Sequence, residues 1–121
     1  MERIIAIDFD GTIVEDKFPK IGKPIAGAFE YIQKLQGQGF FIVLWTCRTG
    51  ESLEDAIRFC GEQGLVFDSI NANSPSNLAE FDYADTRKVF AHYYIDDRQI
   101  GGLPSWGDIY GKIIASELKC K

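Results

Sequence analysis

The chain has 121 residues, 45% of them apolar and 26% charged, with a formal net charge of −5. That is the make-up of one globular domain large enough for its own core, and it excludes a disordered chain. The acidic balance, with no basic run, excludes a general affinity for nucleic-acid backbone, and the apolar runs fall far short of the ~20 residues of a membrane span.

The first strand is expected over residues 3–9, where Ile4-Ile5-Ala6-Ile7 leads into Asp8 and Asp10. Residues 11–23 hold Gly11, Pro19, Gly22 and three lysines (Lys17, Lys20, Lys23), a loop or small hairpin with a solvated basic side. Pro24 suits the first turn of a helix. Ile25, Ala28, Phe29, Ile32 and Leu35 follow at helical spacing until Gly37 and Gly39. Phe40 to Trp45 predicts the second strand, and Thr46-Cys47-Arg48-Thr49-Gly50 turns the chain into a helix over 51–63. Leu65 to Ile70 reads as a third strand, 71–86 as a long loop, 89–95 as a fourth strand, and 105–118 as a closing amphipathic helix. Strands alternating with helices predict an α/β fold: a three-layer, Rossmann-like, mostly parallel sheet with helices on both faces, in a single domain spanning 1–121.

Asp8 and Asp10 stand i, i+2 at the end of a buried strand, so they leave it in the same general direction. Gly11 permits a sharp turn and a close backbone approach. A second apolar run ends in Asp96 and Asp97. A parallel sheet gathers the carboxyl ends of its strands on one edge, where open α/β sheets bind ligands. Two such charges ~4 Å apart repel by about 4 kcal/mol at an effective dielectric near ~20. The cluster therefore calls for a proton or a cation, and an all-oxygen donor set suits Mg²⁺.

In their strand context, Asp8-Phe9-Asp10-Gly11-Thr12, then Thr46, then Lys88, then Asp96-Asp97 resemble the signature segments of the haloacid dehalogenase (HAD) superfamily of aspartate-nucleophile phosphohydrolases. The resemblance runs over nearly the whole chain. It implies that Asp8 is the nucleophile, forming an aspartyl-phosphate, and Asp10 the general acid and base. It implies acidic magnesium ligands from Asp8 and Asp96, with Asp97 directly or through water, while Asp10 faces the metal through its backbone carbonyl. Thr46 and backbone N–H groups near Gly11 and Cys47 would bind the phosphoryl oxygens, and Lys88, or its neighbour Arg87, would neutralise charge. Family members often carry a cap domain after the first acidic segment or the third strand. Neither place has room for one here, so this chain is similar to the capless members, with an open mouth that a bulky substrate or a second subunit would cover.

The expected activity is Mg²⁺-dependent hydrolysis of phosphomonoesters, with small phosphorylated metabolites ahead of bulky phosphorylated substrates because the surface is acidic. Arg48 is either a substrate contact or a surface residue. Thr46 could instead cap the second helix, and His92, Trp45 and Trp106 read as packing residues. A cysteine phosphatase is excluded, since Leu53 and Val66 stand where a Cys-x5-Arg loop needs arginine after Cys47 and Cys60, and no P-loop occurs. A receiver-like phosphoacceptor domain is the rival from another class, although its acid would follow the third strand, where Asn71 stands. A catalytically silent binding module is the third reading. Cys47, Cys60 and Cys120, odd in number and without CxxC spacing, together with an amino terminus lacking leader features, fit a cytoplasmic protein with no membrane partner and room for a homo-oligomer.

Overall fold

A computed structural model describes residues 2–119. In chain order the elements are β1 (Ile4–Ile7), α1 (Ala28–Gly37), β2 (Phe41–Leu44), α2 (Gly50–Glu62), β3 (Ser69–Ile70), α3 (Pro75–Glu80), β4 (Tyr93–Ile95) and α4 (Trp106–Lys119). The four strands form one sheet in the order β3-β2-β1-β4, and every pairing is parallel. The fold is thus the α/β arrangement expected from the alternation of strands and helices.

β1 sits between β2 and β4, and its period-two alternation divides the core. Ile5 and Ile7 point into the larger cluster with Ile32 and Leu35 of α1, Ala56 and Cys60 of α2, and Trp106, Ile109 and Ile113 of α4. Each fully buried Ile or Leu here is worth ~1.5–3 kcal/mol relative to exposure. Ile4 and Ala6 point the other way, to Val43, Val89 and Ala91. On that second face the short α3 lies beside Ile4 and is tied to Glu2 by the Ser74 and Ser76 hydroxyls.

The chain steps outward from β1 to β2 to β3, then returns past β1 to form β4. The reversal places the topological switch between β1 and β4, the position where such sheets leave a crevice at their carboxyl ends. The Asp8 N–H donates to the Ile95 carbonyl at 3.0 Å and the Trp45 N–H to the Ile7 carbonyl at 2.9 Å, which aligns the three strand ends.

Three expectations need correction. Pro24 does not open a helix; it pairs antiparallel with Val14, the Glu15 N–H donates to the Lys23 carbonyl, and the Ile25 N–H to the Ile13 carbonyl. Residues 13–25 are therefore a small hairpin-like flap, and α1 begins only after Gly27, whose φ of 82° breaks the chain direction. The paired strands are shorter than the apolar runs: of residues 65–70 only Ser69–Ile70 pair, and of 89–95 only Tyr93–Ile95, although Leu65, Val89 and Ala91 are still buried. The 71–86 segment contains α3, with Pro75 in its first turn and Ser74 accepting from the Asn77 N–H at 3.2 Å. Among the described residues the flap and α3 are what stands at the two places where a cap was considered. Among the described residues no helix is long and apolar enough to cross a membrane.

Candidate functional site

The loop after β1 winds around a single carbonyl. The N–H groups of Thr12, Ile13 and Val14 all point to the Phe9 oxygen at 2.9–3.3 Å, while Phe9, Ile13 and Val14 are fully buried. These anchors leave Asp8 and Asp10 directed out of the core. Trp106 fixes the loop from beneath, its Nε1–H donating to the Thr12 carbonyl at 3.0 Å.

Gly11 has φ 85°, a conformation that favours glycine. Its close approach is to Asp97: a Cβ at this position would lie 2.2 Å from Asp97 Oδ2. Its own N–H donates to the Val14 carbonyl at 2.7 Å and is committed within the loop. Gly11 allows the two acidic segments to meet.

Asp8, Asp96 and Asp97 each present a carboxylate oxygen within 4.8 Å of the others. Buried Thr12 links two of them: its Oγ1 lies 3.3 Å from Asp8 Oδ2 and 3.2 Å from Asp97 Oδ1, and accepts the Asp97 N–H at 3.0 Å. One hydroxyl hydrogen serves one carboxylate at a time, so the second contact is uncompensated. Asp8 is pushed up to about 7, by burial first, then by the Asp96 charge and a hydrogen bond with Asp97. Three half-buried carboxylates with too few donors fit a small, hard divalent cation such as Mg²⁺.

The Asp10 carboxylate stands outside this group. Both of its oxygens accept from Arg48, at 2.7 and 2.8 Å. Arg48 is therefore neither a surface residue nor a free substrate contact, because it is 1% exposed and paired to the acid.

A cleft of about 470 Å³ opens over the acids, lined by Asp8, Asp10, Thr46, Cys47, Asp96 and Arg98 among others. Thr46 is positioned by Asn71, whose Oδ1 accepts the Thr46 N–H at 2.8 Å, and Thr46 Oγ1 accepts the Arg48 N–H at 3.1 Å. Thr46 thus makes a local turn rather than capping α2, whose N-cap is Thr49. Its hydroxyl donates to no side chain or carbonyl among the described residues, and it lines the cleft. Cys47 is exposed at the cleft, Cys60 is buried with its thiol pushed up to about 12, and Cys120 lies outside the described residues.

Lys88 and Arg87 are exposed and do not line the cleft. Tyr94 accounts for this. Its hydroxyl donates to the Val89 carbonyl at 2.8 Å and accepts the Ala91 N–H at 3.1 Å, drawing residues 88–91 over the sheet so that Lys88 Nζ sits 5.1 Å from the ring centroid. Two cations line the cleft: Arg48, which is paired to Asp10, and Arg98, which sequence reasoning missed and whose N–H donates to Asp96 Oδ1 at 2.9 Å. The one signal for it was adjacency to the second acidic pair. His92 is a packing residue, Nδ1 accepting the Ile4 N–H at 3.0 Å, with its pKa lowered by burial.

No protein-family model and no curated protein matches the chain. Among solved structures it is similar to a conserved protein from Bacteroides thetaiotaomicron, at 42% identity and a TM-score of 0.85, over 93% of this chain and 90% of that one. At that identity over that length, the chain belongs to the family of this conserved Bacteroides protein.

Proposed function

We propose that the protein is a capless phosphohydrolase of the haloacid dehalogenase type, hydrolysing phosphomonoesters with Mg²⁺. The observation that carries the reading is the convergence of Asp8, Asp96 and Asp97 at the switch between β1 and β4, beneath a cleft that also holds Thr46 and Arg98. In this reading an Asp8 carboxylate oxygen attacks phosphorus, the bond to the ester oxygen breaks, and an aspartyl-phosphate forms. Asp10 gives the departing oxygen its proton and later takes one from the water that cleaves the intermediate, returning Asp8 and inorganic phosphate. The Thr46 hydroxyl donates to a phosphoryl oxygen, and Arg98 takes the neutralising role first expected of Lys88. A magnesium ion held by Asp8, Asp96 and Asp97 would offset their mutual charge, keep Asp8 ionised and polarise the phosphoryl group.

A receiver-like signalling role is disfavoured, because Asn71 occupies the position after β3 and its side chain is committed to Thr46. Small phosphorylated metabolites are the proposed substrates, with a second copy of the chain or the substrate's own bulk closing the open mouth. The free described cysteines support a reducing cytoplasm. The test is a panel of phosphomonoesters assayed with Mg²⁺ and with chelator. Turnover that requires Mg²⁺ and disappears in Asp8→Asn is expected. Activity that survives chelation, or that persists in Asp8→Asn, would defeat the reading.

A further inference from the structure

The geometry points to Arg48 as a positioning residue that holds the Asp10 carboxylate and the 13–25 flap as one rigid unit; this rests on the hydrolase reading above. All five guanidinium N–H groups are committed. Nε–H and one Nη2–H grip Asp10 Oδ2 and Oδ1, at 2.8 and 2.7 Å. The other Nη2–H donates to the Lys20 carbonyl at 2.9 Å, and Nη1 donates to the carbonyls of Pro19 at 3.1 Å and Ser52 at 3.0 Å. The group lies between two rings, 5.0 Å from the Phe9 centroid and 5.2 Å from that of Phe18.

One buried cation thus joins the loop after β1, the flap and the first turn of α2. An arginine that only anchored the flap would need its carbonyl bonds alone. Here two of the five donors close a planar, two-point grip on the acid at the cleft, which fixes the direction of its oxygens as a single bond would not. Lysine has the charge without the fork. Phe18, 59% exposed at the flap tip, covers the pair on the cleft side. The flap and the acid cannot shift independently, because the same Nη2 holds Asp10 and Lys20.

If Arg48 acts through Asp10, its loss is felt where the leaving oxygen needs a proton. The experiment compares wild type, Arg48→Lys, Asp10→Asn and the double variant, with Mg²⁺, on nitrophenyl phosphate and on an alkyl phosphate. In Arg48→Lys, kcat for the alkyl ester should fall ~10²-fold, in line with general acid help of about 10²–10⁴. The aryl ester, whose oxygen leaves without a proton, should lose less than ~10-fold in its first turnover, and KM for both should change little. The double variant should be no worse on the alkyl ester than Asp10→Asn alone. Amides of residues 13–25 should exchange faster in Arg48→Lys. Equal first-turnover losses on both esters, multiplying losses in the double variant, or an unchanged flap would overturn the inference. Wild type inert toward both esters would instead sink the hydrolase reading, while faster flap exchange would still establish the anchor. Should Arg48→Lys not fold, Phe18→Ala, at an exposed site, must show the same alkyl-selective loss, and equal losses there overturn the inference too.

Discussion

Replacing Asp8 by asparagine should stabilise the metal-free protein, although Asp8 lies at the centre of the candidate site. In the folded chain its carboxyl is raised from an ordinary 3.8 to about 7, chiefly by burial and the Asp96 charge. A carboxyl whose folded pKa lies above its unfolded one contributes fully below the unfolded value and loses that contribution as pH rises through the folded one. The penalty for an ionised Asp8 therefore opens above pH ~4 and is complete above pH ~7. At about 1.4 kcal/mol per pH unit the full rise amounts to roughly 4 kcal/mol; Asp8 is only half-buried, and solvent screening reduces this to about 2 kcal/mol. Asparagine keeps an acceptor for the Thr12 hydroxyl and brings no charge. For a domain of this size the gain corresponds to a rise in Tm of roughly 5–10 °C. Paired melts of wild type and Asp8→Asn in chelator, at pH 8 and pH 4.5, measure it. The gap should be wide at pH 8, narrow at pH 4.5, and shrink at pH 8 when Mg²⁺ is added. A variant that melts below wild type at pH 8, or a gap independent of pH, would refute the account of the cluster.

Gly11→Ala should lose at least ~1–2 kcal/mol from its φ of 85°, and weaken Mg²⁺ binding because the new Cβ displaces Asp97; denaturant melts and metal titration followed by calorimetry report the two effects. Arg98→Ala should raise KM for phosphomonoesters by about 10-fold while Lys88→Ala changes it by less than ~2-fold, and steady-state kinetics giving the opposite ranking would restore the cationic role to Lys88. Trp106→Phe should cost about 1–3 kcal/mol by leaving the Thr12 carbonyl without its donor, measured as a shift in urea midpoint at unchanged slope.

The fold was legible where its signal is local and repeated. Apolar β-branched runs alternating with helical periods gave four strands in sequence, and parallel pairing follows from the helices between them. Aspartates at the ends of two such runs were legible as a cluster for the same reason, since a parallel sheet leaves their strand ends side by side. What sequence could not convey is where a long side chain goes once tertiary contacts compete for it. Arg48 is drawn inward by Asp10 and the flap carbonyls, and Lys88 outward onto Tyr94, where the resemblance had implied Lys88 at the phosphoryl group and residue type had left Arg48 open between substrate contact and surface. Pro24 satisfies a helix-start rule and still lies in the flap, because pairing with Val14 and the turn at Gly27 come first. At six residues, α3 is less than two turns long and leaves no period to detect, so its Ser74-Pro75 start read as part of a loop.

The Thr12 contacts also bear on when during synthesis the acidic cluster can exist. The hydroxyl meets Asp97 across 85 residues of chain, and the carbonyl meets Trp106 across 94. A ribosome adding ~5–20 residues per second makes Asp8 wait roughly 4–18 s for Asp96. Through that interval the nascent chain carries isolated carboxylates and no cluster, and the loop to be closed is long. A cation bound by all three acids would therefore require a chain synthesised at least through Asp97, and a metal-sensitive signal from them would time the meeting of the two acidic segments.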